Sequence, residues 1–175
     1  MDMEEVRRTA RERMKGFCRV CPECDGRACI GEVPGMGGLG TASAFHANVD
    51  ALRGVALRTR LLHDVTAPDL RADVLGMPLS FPVVAAPIGG VSFNMGGRIT
   101  EDQYCAAIVE GCKACGTVGC LGDGVPAFII DSAMEAAKAA GGHAIPFIKP
   151  WADAEFYEKA DRVAEAGCRV MGMDI

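Results

Sequence analysis

The sequence predicts an α/β protein built on a parallel sheet, and three observations carry that prediction. From Phe81 onward a short apolar run, a glycine-containing loop and an amphipathic stretch recur in the same order. The apolar runs, such as residues 144–148, are continuous rather than alternating, as strands covered on both faces are. The amphipathic stretches carry capping residues at their starts and glycine just past their ends.

Taken in order, residues 6–17 are rich in helix formers and predict an N-terminal helix. The first fifteen residues mix acids and bases and lack an apolar core followed by small residues, so they do not read as a secretory signal, and a cytoplasmic address is expected. Residues 18–40 hold four cysteines, two prolines and many glycines, which no regular element accommodates. Residues 44–52 read as a helix, and residues 60–79 as extended pieces broken at Pro68 and at 76–78.

The repeating units follow. The first has a strand over 82–86, a long loop through Gly97 and a helix from Glu101 to Cys115, opened by the capping box of Thr100 with Gln103. In the second, a strand over 117–121 leads to a helix opened by Ser132 with Glu135 and closed at Gly141 and Gly142. The third has a strand over 144–148, Asp153 as cap and a helix running to Gly167. A fourth strand spans 169–173, followed by Asp174. Four parallel strands with three crossover helices are expected. An open doubly wound sheet and a closed barrel both begin this way.

Half of the 175 residues are hydrophobic, enough for a sizeable core. Eighteen basic residues against 23 acidic ones give a net charge of −5, without a basic stripe, so nucleic acid is not an expected partner. The longest apolar stretches fall far short of the ~20 residues that span a bilayer, so no membrane span is expected.

The segments Asn48-Val49-Asp50-Ala51-Leu52, Leu61-Leu62-His63-Asp64-Val65, Leu75-Gly76, Met77-Pro78-Leu79-Ser80-Phe81-Pro82 and Ala85-Ala86-Pro87 follow one another in order. Ala114-Cys115-Gly116-Thr117 and Glu165-Ala166-Gly167 come later. Over residues 44–175 this ordered set resembles the FMN-dependent 2-hydroxy-acid dehydrogenase and oxidase family. The resemblance implies a (β/α)8 TIM barrel, truncated here to about its first four strands. Residues 1–43 would form a helical and Cys-rich lead-in, and residues 44–175 the incomplete first half of the barrel. It also implies FMN as cofactor, and oxidation of a small 2-hydroxy acid or related metabolite by hydride transfer to flavin N5. The full-length protein would be a homo-oligomer, and the fragment alone inactive.

The loops at the carboxyl ends of barrel strands build the site. By the resemblance, Ala86, Pro87, Ile88 and Gly89 lie against the flavin, with the Ile88 amide near N5. Gly122 falls where the family has a serine touching the flavin, and Asp123 is the substitute polar contact. Lys149 sits near the pyrimidine edge, where a cation stabilises negative charge on the reduced ring. Asp174 falls where the family usually has threonine. Each has a structural alternative: Ala-Pro as strand punctuation, Lys149 as a solvated lysine, Asp123 and Asp174 as caps. His46, His63 and His143 sit at no carboxyl strand end and read as structural or exposed. The family's N-terminal tyrosine, which helps hold the substrate carboxylate, has no counterpart in residues 35–40. Its catalytic lysine, histidine and arginine lie beyond strand four, so no catalytic residue is named.

Cys18, Cys21, Cys24 and Cys29 follow C-x2-C-x2-C-x4-C, tight enough for thiolates to wrap zinc or an iron–sulfur cluster. A redox or purely structural thiol group is the alternative. Cys105, Cys112 and Cys115 share a helix at buried-face spacing, and Cys120 and Cys168 fall in strands, so all five read as small core hydrophobes. Two rival functions stay open: a flavin-type isopentenyl diphosphate isomerase, and a metal- or redox-sensing protein using the cysteine cluster.

Overall fold

The computed structural model describes residues 2–31 and 40–175. Residues 35–39, where the family's tyrosine has no counterpart, lie outside them. The chain forms two compact units, Met1–Ala67 with Ser92–Ile99, and Pro68–Val91 with Thr100–Ile175.

The first unit holds α1 (Met3–Arg13) and α2 (Ser43–Arg53). α1 begins earlier than residue 6 because the Asp2 carboxylate accepts from the Glu4 amide, and Glu4 and Glu5 suit the positive end of the helix dipole. It ends before residue 17, where Gly16 turns into the left-handed region at φ 88°. Between the two helices the described chain holds one short 3-10 turn, Arg27–Cys29. Residues 55–71 contain no regular element and leave Leu57, Leu61 and Leu62 almost fully exposed.

The second unit opens with a hairpin of β1 (Ala72–Val74) and β2 (Met77–Leu79), paired antiparallel with Val74 opposite Met77. Leu75 and Gly76 both take positive φ, 54° and 77°, the geometry that a two-residue hairpin turn requires. The break expected at 76–78 is therefore narrower, and Met77 and Pro78 belong to β2. A short helix α3 (Val91–Asn94) interrupts the glycine-rich loop that follows, and from Ser92 on it belongs to the first unit.

Then come α4 (Glu101–Ala114), β3 (Gly119–Leu121), α5 (Ala127–Ala139), β4 (Ala144–Ile148), α6 (Asp153–Glu165) and β5 (Gly172–Met173). The sheet order is β3-β4-β5, all parallel, with Cys120 opposite Ile145 and Phe147 opposite Gly172. The strand expected over 82–86 is reduced to a parallel bridge from Ala85 to Gly119. Pro82 and Pro87 supply no amide there, and the Val83 amide turns back to the Phe81 carbonyl instead of joining the ladder. Ala85 still exchanges bonds with β3: its amide donates to Val118, and its carbonyl accepts from Cys120. The neighbours thus run in chain order, Ala85, β3, β4, β5, without the reversal of a doubly wound sheet.

Two expected helix starts need correction. α5 begins at Ala127 behind Pro126, and Ser132 lies buried within it, so Ser132 and Glu135 are helix-interior neighbours rather than a capping box. No side chain caps that end. Asp153 is the first residue of α6 and not its cap, which is Ala152, so the aspartate serves the helix dipole. The capping box at α4 is present, with Thr100 accepting from the Gln103 amide and Gln103 from the Thr100 amide. Thr100→Ala is expected to cost about 1 kcal/mol, read as a lowered denaturant midpoint.

Both faces of the sheet are covered, as continuous apolar strands require. On one face Cys105, Val109, Ile130, Ala133, Met134, Ala137 and Val163 of the helices pack with Leu121, Ala144 and Ile148. On the other, Met77 and Leu79 of the hairpin pack with Val118, Cys120 and Ile145. The alternation between Cys120 and Leu121 is the two-residue period of a strand, and it gives each face its own cluster.

Candidate functional site

Parallel strands end on one side, so the segments after Ala85, β3, β4 and β5 gather at one edge of the sheet. They carry Ala86 to Gly90, Gly122 to Gly124, Lys149 to Trp151, and Asp174. Every residue singled out from the sequence as flavin-facing lies there.

Ala86, Pro87 and Ile88 are exposed, Gly89 is half-buried and Gly90 is buried. The Gly90 amide donates to the Glu101 carboxylate at 2.8 Å. Glu101 is only 2% exposed and sits in the first turn of α4, where the helix dipole favours its charge. Behind the turn lies the loop after β3. A Cβ on Gly122 would stand 2.5 Å from the Gly89 nitrogen and from the Ile88 carbonyl carbon, and one on Gly89 would stand 2.8 Å from the Asp123 carbonyl oxygen. Two glycines therefore let two loops lie in direct backbone contact. The turn is held from behind while its outer face stays open.

Asp123 has no exposed side-chain surface, and it is engaged on every side. Its Oδ1 accepts from the Gly124 amide at 2.7 Å, and its Oδ2 accepts from Trp151 Nε1 and, at 3.3 Å, from the Lys149 amide. The ammonium of Lys159, on α6, lies 3.1 Å from both oxygens. That ammonium also sits 4.0 Å from the centre of the Trp151 ring and 3.1 Å from Glu155. An aspartate expected to touch a flavin is instead the hub of an internal network, which argues against its being presented to a ligand. Lys159 was missed from the sequence, although its i,i+4 spacing to Val163 places it on the apolar face of α6.

Lys149 and Asp174 meet directly. Lys149 Nζ donates to Asp174 Oδ2 at 2.7 Å, and the Asp174 amide donates to the Ile148 carbonyl at 3.0 Å. Both side chains are partly exposed, so an ammonium and a carboxylate stand together at the carboxyl edge without being withdrawn from solvent. Lys149 is a paired lysine rather than a merely solvated one.

The N-terminal cysteines behave differently from the metal expectation. Cys18 Sγ accepts from the Val20 amide and Cys29 Sγ donates to the Gly26 carbonyl. Among the described residues no group of three or more His, Cys, Asp or Glu side chains is arranged to hold a metal ion. Among the described residues no two cysteines are joined in a disulfide. Of the five later ones, Cys105 and Cys120 are buried as expected and Cys112 and Cys168 are half-buried, but Cys115, at the end of α4, is exposed. Cys168 precedes β5 rather than lying in it. His143 Nε2 bonds to the Thr117 carbonyl at 2.7 Å, a structural role, and His63 is exposed. Burial pushes the Cys105 thiol up to about 12, so a thiol reagent at pH 8 is expected to label Cys115 and leave Cys105 unmodified until the protein unfolds. Mass-spectrometric mapping reads this.

No helix among the described residues is long and apolar enough to cross a membrane. Comparison with known proteins gives one consistent picture. An L-lactate dehydrogenase of Chromohalobacter salexigens is 40% identical over 53 residues, 30% of this chain and 14% of that protein. A peroxisomal (S)-2-hydroxyacid oxidase of Arabidopsis thaliana is 29% identical over 82 residues, 47% of this chain and 21% of that protein. The matched segments thus span a small part of either relative. Among solved structures, that of a lactate oxidase from Pediococcus acidilactici superimposes with a TM-score of 0.62 over 99% of this chain and 43% of the other. At 19% identity that likeness speaks for the α/β fold alone. The sequence model of the FMN-dependent dehydrogenases matches residues 35–175, most of the chain, and the chain belongs to that family.

Proposed function

We propose that residues 44–175 form the first half of a (β/α)8 barrel, preceded by a lead-in over residues 1–43. In this reading the barrel binds FMN against the turn at Ala86, Pro87, Ile88 and Gly89, and the protein oxidises a small 2-hydroxy acid. Support for the barrel comes from the uninterrupted order of Ala85, β3, β4 and β5 and from the hairpin that covers the sheet face away from the helices. The relatives named as a lactate dehydrogenase and a hydroxyacid oxidase support the substrate class. A cytoplasmic address and a homo-oligomeric assembly belong to the same proposal and rest on the sequence.

The single observation that carries the cofactor reading is the turn itself. It alternates small and apolar residues, Ala86 and Gly89 around Pro87 and Ile88, is fixed from behind by Glu101 and Gly122, and is left open at the carboxyl edge. Such a surface fits a flat ring, because Ala86 and Gly89 let it approach the backbone while the exposed Pro87 and Ile88 side chains offer it apolar contact. Bound there, FMN supplies a two-electron acceptor that takes the hydride from the substrate carbon at N5. Ala86 to Gly89 orient the ring. Lys149, held beside Asp174, supplies positive charge at its edge. Gly122 shapes the turn from behind, and Asp123 acts through its neighbours rather than on the ring. The proton acceptor is not assigned among these residues. Metal at Cys18, Cys21, Cys24 and Cys29 has no geometric support among the described residues.

The test is the absorption spectrum of the full-length protein, followed by anaerobic addition of a panel of 2-hydroxy acids. Bands near roughly 370 and 450 nm that bleach with one of these acids are expected. A flavin spectrum bleached by none of them would keep the cofactor and move the chemistry toward an isomerase. Failure to bind FMN would overturn the reading.

A further inference from the structure

We infer that Lys159, Asp123 and Trp151 form a positioning clamp that sets where Lys149 stands at the carboxyl edge of the sheet. The inference rests on the functional reading above and deepens it. Lys149 occupies the position between β4 and the open face, and its backbone amide donates to Asp123 Oδ2. Two residues on, Trp151 donates to the same oxygen through Nε1. One carboxylate from the loop after β3 therefore grips the loop after β4 at two points.

That carboxylate cannot turn away, because Lys159 approaches both of its oxygens at 3.1 Å from α6. The Lys159 ammonium is fixed in turn by the Trp151 ring beneath it, 4.0 Å from centre to nitrogen, and by Glu155 one helical turn earlier. Both charges of the central pair are withdrawn from solvent, with the Asp123 side chain fully covered and that of Lys159 9% exposed. A buried pair that is fully hydrogen-bonded holds one geometry, since any departure leaves a charge or a donor unpaired. The consequence reaches the surface through Lys149, whose side chain leaves the gripped segment and ends 2.7 Å from Asp174. α6 thereby fixes the position of a cation it does not touch, and Lys159 is a positioning residue rather than a catalytic one.

The experiment is a double-mutant cycle on the full-length protein, reading the FMN dissociation constant and the flavin reduction potential. Lys159→Gln is expected to weaken FMN binding on the order of tenfold, as misplacement of a positioning group does, and to make the flavin harder to reduce. In a Lys149→Met background the same substitution is expected to change neither quantity by more than about twofold, because the group through which it acts is gone. Should Lys159→Gln fail to fold, Trp151→Phe removes one donor to Asp123, keeps an aromatic ring and carries the same cycle with a smaller first step. Equal effects with and without Lys149, or unchanged FMN binding in a folded variant, would overturn the clamp while leaving the flavin reading intact. Absence of FMN from the unsubstituted protein would overturn both.

Discussion

Lys159→Met is expected to destabilise the fold by about 3–5 kcal/mol, measured by equilibrium denaturation. Methionine fills a similar volume but leaves Asp123 as a buried carboxylate without its cation. The Gly124 and Lys149 amides and Trp151 Nε1 still donate to it, which places the expected value near the lower end of that range. Removing both charges with Asp123→Leu and Lys159→Met together would not rescue the protein, because those three donors would then be stranded. Arg162→Met supplies the contrast. Its partner Asp131 sits 2.6 Å away in a pair that is 31% and 51% exposed, and solvent screening keeps its expected effect below about 1 kcal/mol. Equal losses from the two substitutions would mean that the Lys159 site is open to water.

The contrast between these two lysine and arginine pairs also marks what the sequence can and cannot reveal. Parallel strands and the crossover helices were legible because continuous apolar runs and glycine punctuation report burial on both faces directly, whereas the order of the strands was not, since a doubly wound sheet and a barrel begin alike. β4 fell at the expected bounds, 144–148. The strand over 82–86 did not, because whether an apolar run between two prolines joins a ladder depends on where its amides turn. The false start at Ser132 has a related cause. A serine three residues before a glutamate is the spacing of a capping box and equally the spacing of two neighbours inside a helix, and the loop geometry at Pro126 decides.

The carboxyl-edge residues were legible as a group, since strand ends follow from strand placement. Their individual roles were not. Asp123 looks like a ligand contact until the position of Lys159, 36 residues later, is known. Glu101 likewise reads as a helix-start acid suited to the dipole, and only the fold brings the Gly90 amide to it. Side-chain roles that depend on partners far along the chain leave no local pattern to read.

Gly122→Ala separates backbone conformation from close packing at the point where the site is built. Gly122 is absent from the positive-φ residues, so an alanine suffers no intrinsic backbone strain there. By unfolded-state entropy alone the substitution would stabilise the protein by about 0.4–1 kcal/mol. The added Cβ, however, would meet the Gly89 nitrogen and the Ile88 carbonyl carbon at 2.5 Å, and the Ile88 oxygen at 2.9 Å. All three are backbone atoms, so no side chain can swing aside, and the 88–89 turn must move. Overpacking of this kind costs about 1–3 kcal/mol, which outweighs the entropic gain and makes the expected change a net destabilisation. Gly111→Ala is the matched control. It lies within α4 with nothing near its would-be Cβ, so helix propensity alone operates and a gain of about 1 kcal/mol is expected. Opposite signs at the two positions, read as denaturant midpoints, would establish that Gly122 is required for contact between the loops and not for its φ. If FMN lies against Ala86 to Gly89, only Gly122→Ala will also weaken its binding, because only that substitution displaces the turn. Equal affinity in both variants would place the flavin elsewhere on the protein.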